Sequence, residues 1–362
     1  VDKINNNTWT DYEQTFRVAD YKAYSNNREM SGVMGYGWAM AQLTNPTGIV
    51  ARQNSVVAVM VGDEYDRIPV DVDGNPRASL KLEYVPSLRS QRAASGTQVE
   101  LHKGLNVIEI PQESMLFVYY MLNSAENIEA NYLSNYPDIK IHIEGGEVNG
   151  YFDTTRGHTD DDWHGMLNAG LLGYERIQLK TQHILINFPS AEFTANNPND
   201  IMPVLSVWSD IAKMEDELVG YYYGNATETN KYFPDQNLTL RCNNIWNVTG
   251  GGSDGQMYAA NYGAFFGGGY DNRTNRNNLK SGSALWSLGH ELGHNHQKEI
   301  NMLSMTEASN NMFSNATVYN FSTNTSRGYG LASVTEPYAA HRHWLEYNNT
   351  YDGDHVLSSN KW

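Results

Sequence analysis

Two histidines and a glutamate in the stretch SLGHELGHNHQ (Ser287–Gln297) have the types and spacing for metal-assisted hydrolysis. His290 and His294 are four positions apart. On a helix their imidazoles therefore lie one turn apart on the same face, roughly 6 Å along the axis, and both can reach one metal ion. Glu291 is turned about 100° from His290, beside such an ion without being a ligand to it. A zinc hydrolase needs this set: two neutral imidazole ligands, and a carboxylate free to take a proton from the water on the metal. HExxH arises by chance in a chain of this size on the order of 1 time in 100. The competing reading is a polar helix merely decorated by His290, His294 and His296. Its flank argues against that. Leu285, Trp286, Leu288 and Leu292 predict a helix mostly buried in a core, where two histidines and a glutamate need partners that a metal supplies.

Such a site wants a third protein ligand. The extended pattern HExxHxxGxxH requires Gly and His where this chain has Gln297 and Ile300, so that class is excluded. Glu299, if the helix continues, points about 140° away from His294. Glu307 is better placed, because Asn301–Met305 can turn the chain and TEASNNMF can run back as a second helix that presents a carboxylate. Asn310 and Asn311, one turn further on, are placed to orient the ligands.

Two textures of sequence must position these residues. As far as about residue 150 the chain has short runs rich in β-branched and aromatic residues: Ser55–Val61, Leu80–Tyr84, Gly104–Ile110, Met115–Leu122 and Asp138–Glu144. They predict an all-β, sandwich-like module over residues 1–150. In the last run Ile139, Ile141 and Ile143 alternate with Lys140, His142 and Glu144, which makes His142 a solvated strand residue. From Glu144–Asp153 onward helical and strand patterns mix, so residues 151–362 are expected to form a mixed α/β catalytic domain and the whole an α+β fold. Thr159 before Asp160, Asp161 and Asp162 reads as a capped helix start. Arg176–Phe188 reads as strand, and Asp200–Leu218 as an amphipathic helix with Pro203 in its first turn.

Composition narrows the function classes. Of 362 residues 40% are hydrophobic, enough to bury a sizeable core. The 41 acidic and 25 basic residues give a net charge of -16, which repels phosphate backbones and anionic lipid and excludes nucleic acid and membrane surfaces as partners. No run approaches the ~18 apolar residues of a membrane span. Cys242 stands alone, so no internal disulfide forms and stability must come from packing or a metal.

HELGHNHQ followed by MTEASNNMFS is similar to the signature of the enhancin-like, mucin-degrading zinc metallopeptidases, the M-sixty peptidases. Thr44–Val61 and Lys103–Tyr120 resemble the β-rich portion that precedes catalysis in that family. The resemblance implies a secreted or cell-surface zinc endopeptidase with a zincin-like catalytic domain; a monomer is expected. Its substrate would be heavily O-glycosylated, mucin-like protein, with glycan recognised beside the scissile bond. It also implies His290, His294 and Glu307 as zinc ligands and Glu291 as general base. The chain departs from the pattern at Gly250–Arg273, a glycine-rich stretch where a substrate-aligning strand is expected. Its Tyr258, Tyr262, Phe265, Phe266 and Tyr270 offer faces for sugar rings, or belong to a flexible loop with its aromatics partly in the core. Arg273 and Arg276 suit an acidic sugar or are solvated loop charges. Tyr258, Tyr262, Phe266, Tyr270 and Arg273 are the candidate substrate contacts. Tyr329, Tyr338, His341 and His343 are candidates for stabilising the oxyanion. Two other classes stay open on the residues alone: a glycan-binding adhesin with a vestigial metal site, and a zinc hydrolase of a non-peptide amide.

Overall fold

The protein is described here by a computed structural model covering residues 10–26, 43, 45–86, 96–124, 132–218, 243–247, 257–260, 263–266, 274–297 and 306–322. Helix α1 (Asp11–Arg17) is started by Thr10, whose Oγ1 accepts the Glu13 amide at 3.1 Å. It leads directly into β1 (Val18–Tyr21). Eight strands follow: β2 (Asn45–Ala51), β3 (Ser55–Val61), β4 (Ala78–Pro86), β5 (Thr97–Glu100), β6 (Gly104–Ile110), β7 (Ser114–Leu122), β8 (Ile139–Glu144) and β9 (Glu147–Val148). They form two antiparallel sheets, ordered β1-β8-β3-β6 and β5-β4-β7-β2-β9. Residues from both contribute to one core, with Val57, Val59, Ile141 and Ile143 from the first sheet and Leu80, Leu82, Leu116 and Val118 from the second. That is sandwich packing. The outer face of the first sheet is wet, with Val56, Met60, Leu105 and Val107 exposed and His142 bonded to Glu144 at 2.9 Å.

The five-stranded sheet is covered on its second face too. Met115 and Phe117 of β7, with Val50 and Val85, form a separate cluster with Leu185 from the following sheet. This accounts for the unbroken apolar run in β7, since a strand buried on both faces cannot alternate.

Sheet membership changes between Val148 and Phe152. The third sheet has the order β10-β11-β12-β13-β15-β14, built from β10 (Phe152–Asp153), β11 (Arg176–Lys180), β12 (Ile184–Pro189), β13 (Asn243–Asn247), β14 (Met257–Ala260) and β15 (Gly263–Phe266). It is mixed: β12, β13 and β15 run parallel, β14 is antiparallel to β15, and β11 is antiparallel to β12 but parallel to β10. The single strand expected over Arg176–Phe188 is thus a hairpin. It is broken at Thr181, whose Oγ1 accepts the amides of His183 and Ile184. A side-chain oxygen turns the chain there, without the Gly or Pro that marks most turns.

Helices flank this sheet. Helix α2 (Asp160–Asn168) begins with the expected capping box, Thr159 and Asp162 bonding reciprocally. Asp160 faces outward to cap another helix, its Oδ1 accepting the Ile201 and Met202 amides at 2.7 and 2.9 Å ahead of α4. After α3 (Ser190–Asn196) comes α4 (Met202–Leu218), with Pro203 in its first turn. Short α5 (Arg276–Leu279) precedes α6 (Gly282–His296) and α7 (Thr306–Phe321). The core under these helices includes Trp163, Phe188, Trp208 and Leu288, and Phe188 meets Trp208 edge to face at 6.0 Å. Phe16 from α1 is buried in this same core, far from its place in sequence. Among the described residues no helix is long and apolar enough to cross a membrane.

Candidate metal centre

Helix α6 starts at Ser281, whose Oγ accepts the Ala284 amide at 3.3 Å. Leu285, Leu288 and Leu292 recur at helical spacing and are fully buried, so this stripe fixes the rotation of the helix against the core. His290 and His294 fall roughly opposite that stripe, on the side that meets α7. Two glycines bring α7 close. A Cβ at Gly289 would lie 2.2 Å from Thr317 Oγ1, and one at Gly293 would lie 2.6 Å from Asn310 Oδ1 and 2.7 Å from Phe313 Cβ. Each glycine immediately precedes a histidine, a signal for close helix approach that the sequence reading did not use.

The approach carries Glu307, in the first turn of α7, onto both histidines. Its Oε2 is 2.9 Å from His290 Nε2 and 3.4 Å from His294 Nε2. One donor atom from each of the three lies within 4.8 Å of the other two. The imidazoles meet edge to face at 4.7 Å, and Trp286, one turn earlier, stacks on His290 at 4.8 Å and 18°. The histidine side chains are 11% and 8% exposed, whereas Glu307 is 59% exposed, so the group is fixed on the protein side and open on the other.

The far nitrogens are engaged as well. His290 Nδ1 pairs with Asn311 Oδ1 at 3.1 Å and His294 Nδ1 with Gln297 Oε1 at 2.8 Å. A carbonyl oxygen only accepts, so in the neutral rings Nδ1 holds the hydrogen and Nε2 presents a lone pair. Burial lowers the pKa of His294, and neighbouring His290 adds to this against the upward pull of Gln297 and Glu307, which favours the neutral form a ligand needs. Two lone pairs and a carboxylate oxygen then converge on one point. Three acceptors repel one another there, and a divalent cation satisfies all three. The donor set therefore fits a metal ion, with two nitrogens and one oxygen as in hydrolytic zinc sites that keep a further position open.

Glu291 is buried at 5% exposure and is not one of the three convergent groups. Asn310 acts on the helix backbone, its Nδ2 donating to the His290 carbonyl. Gln297, which the sequence reading passed over, is 3% exposed and sits against His294. A further buried pair, His296 Nδ1 and Glu215 Oε2 at 3.0 Å, fastens the last turn of α6 to α4.

The remaining expectations divide. Tyr258 lies in β14 and Phe266 ends β15, so residues 257–260 and 263–266 of the glycine-rich stretch are paired antiparallel strands. Among the described residues β14 is outermost in its sheet, and both strands lie alongside α6. Arg276 is not a free loop charge, because it pairs with Asp200 at 2.8 Å. Tyr262, Tyr270, Arg273, Glu299, Tyr329, Tyr338, His341 and His343 lie outside the described residues.

A mixed sheet backed by a helix with two imidazoles, and a carboxylate brought in by the next helix, defines a metallopeptidase fold. The chain belongs to the peptidase M60 family, enhancin and enhancin-like, whose description matches residues 150–360. Among solved structures it is similar to a metallopeptidase from Bacteroides thetaiotaomicron, with 28% identity, a TM-score of 0.71, and coverage of 92% of this chain and 51% of that one. A metallopeptidase in complex with Tn antigen matches at 28% identity and a TM-score of 0.69, over 89% of this chain and 55% of that one. The M60 catalytic domain of a Clostridium perfringens protein, solved with the sialyl T antigen, shares the fold at 19% identity and a TM-score of 0.59, over 85% of this chain and 58% of that one. The chain thus spans about half the length of the solved structures it matches. Comparison with curated proteins gives no match.

Proposed function

We propose that this chain is a zinc endopeptidase that cleaves O-glycosylated, mucin-like protein outside the cell. The observation that carries the reading is the convergence of His290, His294 and Glu307 beside Glu291, within an M60 fold. Those three side chains would hold a zinc ion, which would supply Lewis acidity toward a peptide carbonyl and toward water. The Glu291 carboxylate takes the proton of the attacking water, and as the C–N bond breaks it gives that proton to the leaving amine. Burial of Glu291 keeps bulk water from competing for the proton. Edge strand β14 is antiparallel to its neighbour and lies beside α6. It supports a substrate laid as an added strand, so that main-chain hydrogen bonds set the register of the scissile bond.

Glycan dependence rests on the similar metallopeptidase solved with Tn antigen. The proposed readers are Tyr258, Tyr262, Phe266, Tyr270 and Arg273. A sugar ring packed on an aromatic face contributes binding energy that holds the adjacent peptide bond in reactive geometry. Incubation with an O-glycosylated mucin, the same mucin deglycosylated, and casein, followed by mass mapping, tests this. Cleavage is expected only in the glycosylated mucin, beside occupied sites. Equal cutting of casein or the deglycosylated form would refute glycan dependence.

A further inference from the structure

We infer that Gln297 is a positioning residue that joins the two halves of the metal site: it sets which nitrogen of His294 faces the ion and ties that histidine to the helix carrying Glu307. The inference rests on the zinc reading above and assigns a role to a residue that is neither ligand nor base. Gln297 is the C-cap of α6 and is buried. Both ends of its amide are used. Oε1 accepts from His294 Nδ1 at 2.8 Å, while Nε2 donates to the Thr306 carbonyl and to Ser309 Oγ, the latter at 2.7 Å.

The orientation of the amide follows from its neighbours. A backbone carbonyl has lone pairs and no proton, so the end facing Thr306 must be the NH2. The end facing His294 is then the oxygen, which only accepts. His294 must accordingly hold its hydrogen on Nδ1, and its Nε2 lone pair points at Glu307. This sequence of constraints starts at a backbone carbonyl, whose character no side-chain rearrangement alters.

The same NH2 grips α7. Thr306 and Ser309 lie either side of Glu307 in the first turn of that helix, and Ser309 Oγ also bonds the Thr306 carbonyl at 3.3 Å. One side chain thereby links the α6 ligand to the turn that delivers the α7 ligand. His290 is oriented from α7 as well, through Asn311. Both imidazoles therefore take their tautomer from neutral amides connected to the helix that supplies the carboxylate, and the α6–α7 contact defines the site as one unit.

Zinc affinity, measured by chelator competition, and the His294 tautomer, read from long-range 1H–15N correlations in metal-free protein with labelled histidine, test the inference. Gln297→Leu keeps the volume and removes both polar ends. It is expected to bind zinc about 10–100-fold more weakly and to lose the uniform Nδ1–H form of His294. Gln297→Glu still accepts from His294 but cannot donate to Thr306; it is expected to keep the Nδ1–H form and yet bind zinc more weakly than wild type. Should the leucine variant fail to fold by circular dichroism, Gln297→Glu and Ser309→Ala decide the matter, each with an expected loss of several-fold or more. Wild-type zinc affinity in the leucine variant, or in both of the other two, overturns the proposal. So does a leucine variant that is less stable but keeps its tautomer. None of these readouts involves mucin, so failure of the substrate assignment leaves them standing.

Discussion

Glu291 and Glu307 are the same residue type in different surroundings, which suits them to the different tasks we propose for them. Glu307 reaches the histidines from a largely exposed position, whereas Glu291 is buried on the helix that carries them. A base needs a shielded carboxylate beside the reacting water, and a ligand needs its oxygen on the shared point. Glu291→Gln keeps size and polarity and cannot accept a proton. The variant is expected to retain its zinc by metal analysis and to lose roughly 100-fold or more in cleavage rate. Cleavage near the wild-type rate would remove Glu291 from the chemistry. The convergence of His290, His294 and Glu307 was legible in the sequence because helical periodicity fixes the directions of the histidines and a short spacer returns the chain. Asn311 was legible for the same reason, one turn beyond Glu307. Gln297 was not, since its role depends on Thr306 and Ser309 of another helix, and nothing in HNHQ reports where those lie.

At the level of elements, the site is an angle and a distance between α6 and α7, and Gly289 and Gly293 set the distance. Gly293→Ala gains up to about 1 kcal/mol of helix propensity but places a methyl against Asn310 and Phe313, an overpacking that typically costs 1–3 kcal/mol. The clash should win. A lower melting temperature together with weaker zinc binding is expected, because Glu307 and Asn311 move with α7. An alanine variant with unchanged melting and zinc affinity would show that the contact is slack. The β11–β12 turn offers a pH test. Burial, with Lys213 assisting, lowers the pKa of His183 from 6.5 to about 4. Between those values the unfolded chain binds the proton and the folded one does not, so stability is full above about pH 6.5 and falls as pH drops toward 4. The loss by pH 4 is about 3 kcal/mol. Thermal melts from pH 7 to 4 should fall less steeply for His183→Gln than for wild type, and parallel curves would discount the burial effect. That turn escaped the sequence reading because Thr181 makes it with a hydroxyl, whereas β3, β6 and β8 were legible with bounds near those observed, through alternation and clear turn residues.

Across the whole molecule, we propose residues 1–150 as a β-rich module and 151–362 as the catalytic unit, but the two are packed as one body. Phe16 enters the catalytic core, and Lys180 donates to Tyr24 across the divide at 2.9 Å. Such contacts link positions more than a hundred residues apart, beyond the reach of any local pattern, so the sequence showed two textures and not their joint. Phe16→Ala is expected to cost about 3–5 kcal/mol and to lower the melting of the entire protein in one transition. Two separated transitions, with only the earlier one moved, would show that the halves unfold independently. The double burial of β7 has a further consequence for heredity. Leu116, Val118 and Tyr120 answer to the module, while Met115 and Phe117 answer to the cluster shared with Leu185. Neighbouring codons in one short segment are thus under selection from different partners. Accepted changes in this strand should track the sandwich interior at even positions and the catalytic sheet at odd ones, so that the lineage records two histories interleaved residue by residue.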